Sequence, residues 1–308
     1  MSPWSCEARS AWLNARLALA FTRVTRDILG GDLVSSLLLP VISDANVGHL
    51  DRHPDSTRLN MALDGAFSDD HRHPANVTSI AASLDMPRET VRYKLEEMLD
   101  AGLVHRKGNG IVLRTETLVS ERFLPSVPRY LDAVAAFVKG VADMSSCSLQ
   151  PGQGLLHPVW PVAGAVLRLN TAHVLRYVTN LRAMTPGVSL MDSFLLMAVM
   201  QETAAHLRAV PGALDGARDM GWDPAQTSSV SGLHLSRTYD IPRETVRRRL
   251  AVLVAEGLLV RSASGYHFAD SQQRQRLLQL QEKTMADTRG LIWRLCLVGA
   301  IPMLADDH

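Results

Sequence analysis

The sequence is poor in cysteine, in aromatic residues and in net charge. Its 308 residues include only three cysteines, Cys6, Cys147 and Cys296, which lie far apart and form no C-x-x-C pair. This spacing argues against a disulfide framework and against a zinc site, and it fits a reducing cytoplasm. Because the formal net charge is only +1, any affinity for a polyanion has to come from local clusters of basic residues.

Long apolar runs are also missing. The most apolar stretch, 291–304, is interrupted by Arg294 and Pro302 and is shorter than the roughly 20 residues that cross a bilayer. The N-terminus has no basic stretch leading into an apolar core, so the sequence predicts no signal peptide. Hydrophobic residues make up 46% of the chain and charged residues 20%, which is typical of a globular protein with room for two domains. We therefore expect a soluble cytoplasmic protein with no membrane partner.

Patterns that accompany catalysis or cofactor binding are absent as well. The sequence has no nucleophile elbow, no phosphate-cradling glycine loop and no isolated carboxylate pair. His71 and His73 are candidate metal ligands, but they have no further ligand at helical spacing, which favours a solvated loop. The sequence thus predicts no catalytic residues, no cofactor and no metal.

One segment of the sequence occurs twice. Residues 77–113 align without a gap with the residues 155 positions later, and twelve of the 37 positions are identical. Average composition predicts about two identities. The identical residues of the first copy are Asp85, Pro87, Arg88, Glu89, Thr90, Val91, Arg92, Leu95, Gly102, Leu103, Arg106 and Gly110. The match indicates an internal duplication.

Each copy has the pattern of two short helices followed by a hairpin. Pro87 fits a first helical turn, where its missing N–H needs no partner, and Gly102 fits the end of that helix. The elements predicted for the first copy are helices over 77–84 and 87–101 and strands over 103–107 and 111–113. Those of the second copy are helices over 229–239 and 242–256 and a hairpin over 258–268. This order is that of a helix-turn-helix with a β-hairpin wing.

Helical periodicity covers most of the remaining sequence. The predicted flanking helices cover 7–29, 33–47, 117–144, 163–181, 192–207 and 272–299. Pro40 is expected to kink or split the second of them, and Pro125 and Pro128 to break the early part of the third. For the apolar helices over 33–47 and 192–207, core packing is a better explanation than a ligand pocket. The outer helices could join two halves, pair two chains or enclose a small effector, and the sequence leaves these alternatives open.

A dense run of Pro and Gly over 150–162 predicts a linker between two halves. The first half is 1–149, with its winged unit over 76–114. The second half is 163–308, with its winged unit over 229–269.

The repeated sequence motifs resemble those of winged helix-turn-helix bacterial transcription regulators. Pro-Arg-Glu-Thr-Val-Arg at 87–92 and 242–247, followed by Gly-Leu at 102–103 and 257–258, is most similar to the recognition helices of the cyclic-AMP receptor protein family. The resemblance implies a mainly α fold with small β-hairpin wings, built from duplicated winged helix-turn-helix domains with flanking helices. No cyclic nucleotide is implied, because the segments before each copy are predicted helices rather than that family's β-roll.

The resemblance assigns base contacts to the start of each second helix. The residues implied are Arg88 and Glu89 in the first copy and Arg243, Glu244 and Arg248 in the second. An arginine can form a bidentate pair with guanine, and a glutamate can accept a hydrogen bond from cytosine N4. Tyr93 occupies the position of Arg248 in the first copy, so the two copies are not expected to read identical sequences.

Other polar residues are better placed for the DNA backbone. Those predicted to contact phosphates are Thr90, Lys94, Thr245 and Arg249. Arg92, at the margin of the apolar face of its helix, and Arg247 are further predicted DNA contacts. Arg106, Lys107 and Arg261 lie on the predicted wings, which in the resembling superfamily commonly touch the backbone or the minor groove. The helix over 242–256 is the more basic of the two, so we expect the second copy to hold DNA more tightly.

These patterns favour a sequence-specific, double-stranded DNA-binding transcription regulator, cytoplasmic and associated with the nucleoid. Its two non-identical winged units would act as a pseudo-dimer, and the flanking helices could add a homodimer or an effector site. The alternative is a tandem winged-helix interaction scaffold in chromosome organisation. The arginine cluster over 243–249 argues against that alternative.

Overall fold

The computed structural model describes residues 6–30, 33–52, 72–142, 160–185, 187–203, 229–268 and 272–301. These residues are mainly helical and include two antiparallel two-stranded hairpins, which confirms the mainly α fold class with small hairpins. Most of the predicted loop over 51–75, the loop over 211–228 and most of the linker over 150–162 lie outside the described residues.

The helices and strands follow the predicted order. The helices are α1 (Cys6–Leu29), α2 (Leu33–Val47), α3 (Val77–Leu84), α4 (Arg88–Asp100), α5 (Thr115–Leu118), α6 (Val127–Ala142), α7 (Ala163–Met184), α8 (Leu190–Thr203), α9 (Gly232–Tyr239), α10 (Arg243–Ala255) and α11 (Gln272–Leu297). The strands are β1 (Val104–Lys107), β2 (Gly110–Leu113), β3 (Leu259–Ser262) and β4 (Gly265–Phe268). Within the described ranges, short 3-10 helices cover Gly48–Arg52, Leu124–Ser126 and Trp160–Val162.

Prolines lie inside α2 and around the start of α6. Pro40 lies inside α2, which continues on both sides of it rather than splitting. A proline removes one helical hydrogen bond, and the burial of the neighbouring Leu39 and Val41 compensates for that loss. The predicted break in the early part of the helix over 117–144 is present: α5 ends at Leu118, Pro125 lies in the 3-10 helix Leu124–Ser126, and α6 begins only at Val127. Pro128 lies in the first turn of α6, where a residue needs no N–H partner.

The two repeats, 76–114 and 229–269, have the same local backbone geometry at positions 155 apart. Asp85 and Asp240 both end a short helix in the left-handed conformation, with φ of 47° and 49°, which aspartate tolerates better than most residues. The hairpin registers also correspond, with Val104 paired to Leu113 as Leu259 is to Phe268. Each repeat adds an isolated bridge to its hairpin, Ala75–Ile111 in the first and Val230–Tyr266 in the second.

The chain forms two compact units, and each unit contains one repeat. The larger unit consists of the described residues from 20 to 176 and from 288 to 301. In it, α2 packs against β2, α3 and α4. Asn46, a fully buried residue near the end of α2, donates to the carbonyls of His73 (2.7 Å) and Ile111 (3.1 Å) and accepts from the N–H of Leu113 (2.8 Å). This side chain ties α2 to the hairpin.

The smaller unit consists of the described residues from 6 to 19 and from 177 to 287. Its central helix is α8, which is buried over most of its length and packs against α9, α10 and β4. The first turns of the chain complete this core, since Gln201 Nε2 donates to the Trp12 carbonyl (2.8 Å) and the Tyr177 hydroxyl donates to the Ala11 carbonyl (3.3 Å). Each unit therefore includes a segment from the opposite half of the sequence. Residues 6–19 belong to the smaller unit with the second repeat, and residues 288–301 belong to the larger unit with the first.

One described segment, Leu33–Asp51, is long and apolar enough to cross a membrane by length and composition, with a mean hydropathy of 1.3. It is a longer apolar segment than the 291–304 stretch singled out in the sequence. Of its most apolar 18-residue window, 61% is buried inside the fold, as is usual for a core helix.

We predict that Gly265→Ala lowers the free energy of unfolding by about 2 kcal/mol or more. Gly265 has φ of 142°, and a Cβ there would lie 2.5 Å from the Val230 carbonyl oxygen in the bridge. Gly290→Ala is the matched control: a Cβ on this α11 glycine meets nothing within 4 Å, so we expect a gain of up to about 1 kcal/mol. Urea denaturation measures both, and equal stability of the two variants would contradict the bridge geometry.

Candidate nucleic-acid interface

The outer faces of α4 and α10 carry most of the residues predicted to contact DNA. In α4 the buried stripe is Val91, Leu95 and Met98, while the neighbouring Leu99 is half-buried. The stripe of α10 consists of the matching positions Val246, Leu250 and Leu253. The rest of each helix surface is open to solvent or lies at the edge of the packed face.

The predicted residues divide by exposure. Those that are exposed are Arg88, Glu89, Thr90, Arg92, Tyr93, Arg106, Arg243, Glu244, Arg247, Arg248 and Arg261. Those that are half-buried are Lys94, Lys107, Thr245 and Arg249. In each repeat the exposed group includes residues from the start of the second helix and one arginine from a hairpin strand.

One ion pair is common to both helices. Arg92 Nη2 lies 2.6 Å from Glu89 Oε2, and Arg247 Nη2 lies 2.6 Å from Glu244 Oε1 with a second hydrogen bond of 2.9 Å from its Nε. The hydrogen bond from Arg247 lowers the pKa of Glu244, and its charge adds to that effect. In the unbound protein, therefore, both glutamates are occupied by an arginine one turn along the helix, and a base would have to compete with it.

The other basic residues of the first repeat also have partners. Lys94 Nζ lies 2.7 Å from Glu97, and Arg106 forms an ion pair with Glu96. Arg88 donates to the Thr78 hydroxyl in α3. Tyr93 is 63% exposed, and a hydrogen bond with Glu97 raises the pKa of its hydroxyl.

Lys107, on the hairpin of the first repeat, donates to the Arg72 carbonyl at 3.4 Å. Its ammonium is thus directed towards the protein backbone. All five basic side chains predicted as DNA contacts in the first repeat are consequently engaged within the protein.

The second repeat differs because two of the acidic residues of the first helix have no counterpart in α10. Ala251 and Val252 occupy the positions of Glu96 and Glu97. Arg243, Arg248 and Arg261 form no hydrogen bond or ion pair with any described residue. Helix α10 carries four arginines and one glutamate, a net charge of +3, whereas α4 carries two arginines and one lysine against three glutamates and one aspartate, a net charge of −1. The positive surface is on the second repeat.

Arg249 does not lie on the open surface where a phosphate contact was expected. Its Nη1 is 3.5 Å from Oδ2 of Asp192 on α8, and its side chain is 32% exposed against 1% for Asp192. Lys94, at the matching position, is 21% exposed. This position lies on the flank of the helix, so the outer face is narrower than helical periodicity alone predicts.

Additional polar groups near this surface were missed in the sequence. Arg237, in the last turn of α9, is exposed and forms no hydrogen bond or ion pair with the described residues. Ser229, Ser262 and Ser264 form a hydroxyl cluster at the hairpin turn, with oxygens 2.9 to 3.4 Å apart. Arg237 could have been found as a basic residue on the unburied side of the predicted helix, whereas the serine cluster depends on the hairpin closing.

Within the described part of the chain, no three or more His, Cys, Asp or Glu residues lie close enough together to hold a metal ion. His73 stacks on His49, with ring centroids 3.9 Å apart. His71 lies outside the described residues.

No protein-family model, no curated protein and no solved structure matches this chain.

We predict that Arg249→Ala lowers the free energy of unfolding by about 1–3 kcal/mol, because it leaves the buried Asp192 carboxylate without its ion-pair partner. The partial exposure of Arg249 keeps the loss below that of a fully buried pair. Arg248→Ala, one residue earlier and fully solvated, should change stability by less than about 0.5 kcal/mol. Urea denaturation of the two variants measures the difference; equal losses would show that the Asp192 contact does not stabilise the fold.

A second prediction concerns the charge state of Glu244. Carboxyl NMR titration should give Glu244 a pKa below the ordinary glutamate value, and Arg247→Gln should return it towards that value. Because the folded-state pKa is lowered, the stabilisation from the pair is present above the ordinary pKa and is lost as pH falls through the lowered one. Arg261→Gln is the control and should leave the pKa of Glu244 unchanged. If Arg247→Gln also leaves that pKa unchanged, the ion pair between Glu244 and Arg247 does not form in solution.

Proposed function

We propose that this protein is a double-stranded DNA-binding transcription regulator in which the two repeats are unequal winged helix-turn-helix units. The observation that carries the proposal is the outer surface of α10. There, Arg243 and Arg248 are exposed and unpaired within the described residues, on a helix that follows a tight turn and precedes a hairpin carrying Arg261.

The order and geometry of the elements support this proposal. In helix-turn-helix proteins the second helix enters the major groove and its first residues meet base edges, while the first helix crosses the backbone. Arg243 begins α10, and Arg248 lies beyond the next turn on the unburied side. Each is free to form a bidentate pair with a guanine, while Arg237 and Arg261 are positioned for phosphates.

The two units differ in how readily they meet DNA. The second unit has arginines available, whereas the first must exchange ion pairs for phosphate contacts. Exposed pairs are worth about 0–1 kcal/mol each, so the exchange weakens binding by the first unit without preventing it. We therefore assign the second unit as the anchor and the first as a weaker unit that reads a different half-site, since Tyr93 replaces Arg248.

The paired cations of the first repeat favour one competing function, a winged-helix interaction scaffold in chromosome organisation. Its outer helix carries a net negative charge and an exposed tyrosine, which suits contact with protein better than contact with phosphates. The surface of α10 argues against this function for the chain as a whole. Homodimerisation through the flanking helices, a small-molecule effector and association with the nucleoid stay predictions.

The proposal is tested by fluorescence anisotropy with duplexes selected from random DNA and with unselected duplexes. Arg248→Ala should weaken binding to the selected duplex by about 1–3 kcal/mol and reduce its preference over unselected DNA. Tyr93→Ala, the same position in the other unit, should have a smaller effect because that unit contributes less affinity.

A salt series separates the two functions. Phosphate contacts release counterions, so the logarithm of the affinity for a DNA-binding protein falls steeply with the logarithm of salt concentration. Absence of binding to any duplex at low salt would reject the regulator and favour the scaffold. Equal losses from Arg248→Ala on selected and unselected DNA would remove the base-reading role of Arg248.

A further inference from the structure

Helix α8 carries only two charged residues, and both are directed at the proposed DNA-reading unit. Asp192 lies in its first turn and Glu202 in its last. Asp192 is 1% exposed and Glu202 17% exposed at the side chain, so neither is on the surface that would meet DNA. Acidic side chains in such a helix are costly to bury unless each has a partner.

Asp192 joins the start of α8 to the middle of α10. Its Oδ2 accepts hydrogen bonds from the N–H of Ser189 (2.9 Å) and from the Ser189 hydroxyl (2.6 Å). The Ser189 hydroxyl in turn lies 3.3 Å from the Asp192 N–H, so the two residues cap the helix reciprocally. Oδ2 is also the atom 3.5 Å from Arg249 of α10.

Glu202 joins the end of α8 to both turns of α9. Its Oε2 lies 2.9 Å from His234 Nε2, and its Oε1 accepts from the Tyr239 hydroxyl at 3.1 Å. The Tyr239 ring packs edge-on against Phe194 of α8, with centroids 5.6 Å apart. Glu202 therefore fixes the rotation of α9 as well as its distance from α8.

Resting on the proposed function, we infer that Asp192 and Glu202 are positioning residues for base reading. The turn at Asp240 connects α9 to α10, and one carboxylate holds each helix to the same rigid support. Together they set the angle between the two helices and so the direction of Arg243 and Arg248. A small rotation of α10 would leave its charge near the phosphates but move these guanidinium groups away from base edges.

The first repeat has no equivalent arrangement among its described contacts. There, Lys94 pairs with Glu97 of its own helix. The neutral Asn46 connects α2 to the hairpin backbone. Among the contacts of the described residues, carboxylates that reach from the supporting helix to the two short helices are found in the second repeat, the one with the available arginines.

The test uses the full-length protein with Asp192→Asn and Glu202→Gln, which remove a charge and keep the shape. Affinities for a selected and an unselected duplex, a salt series and urea denaturation are measured for each. Each variant should lose about tenfold in the ratio of selected to unselected affinity, within the range seen for directly coupled residues. Affinity for unselected DNA should stay at the wild-type value, because Arg243, Arg247 and Arg248 remain.

Matched variants distinguish a loss of helix positioning from a simple change of net charge and from a loss of folding. Asp132→Asn removes one exposed negative charge on α6 and should leave the ratio unchanged. Combining Asp192→Asn with Arg249→Gln removes both charges, so that no unpaired charge is left between α8 and α10, and should recover part of the ratio. Tyr239→Phe removes only the hydroxyl that donates to Glu202, and it should lower the ratio even where Glu202→Gln does not fold.

The outcomes are distinct. If the wild-type protein binds no duplex at low salt, the proposed function fails, and this inference fails with it. If wild type discriminates and the variants lose stability at an unchanged ratio, the carboxylates are structural and the inference alone is overturned. A lowered ratio with partial recovery in the double variant supports the positioning role.

Discussion

The surface of α10 depends on one constraint, the burial of its apolar stripe. Val246, Leu250 and Leu253 recur at helical spacing and are all buried. Because a helix fixes the angle between neighbouring side chains, burial of these three residues turns most of the intervening arginines away from the core. Helix α8 supplies the packing partner of α10. The open arginines and the Asp192 contact both follow from this orientation.

The two repeats show how one backbone supports two different surfaces. The left-handed aspartate that ends the first helix occurs in both, and so does the glycine that ends the second helix, Gly102 or Gly257. These residues determine chain direction. The electrostatic difference comes from exposed positions, above all Glu96 and Glu97 against Ala251 and Val252, where substitution costs little stability. The surfaces could therefore diverge while the backbone stayed the same.

The helices that support the two repeats, α2 and α8, also differ in the charge of the side chains that contact those repeats. Helix α2 reaches its hairpin through Asn46, a neutral amide that satisfies backbone groups. Helix α8 contacts α9 through the carboxylate of Glu202 and α10 through the carboxylate of Asp192. A buried carboxylate depends on its partner more strongly than an amide does, because an unpaired charge is costlier to bury than an unpaired dipole. The geometry of the second repeat is accordingly the more sensitive to a change of charge in its support.

The sequence by itself determined the elements of each repeat, because their signals are local: a proline in the first turn, a glycine after the last, and an apolar stripe of period 3.6. Tertiary structure decided which side chains meet. Arg249 pairs with Asp192, 57 positions away, and Gln201 donates to Trp12, 189 positions away. Periodicity tells which side of a helix is buried, but it does not identify the element that covers it. That choice is made by packing of the whole core, which is why periodicity alone did not predict that Arg249 pairs with Asp192.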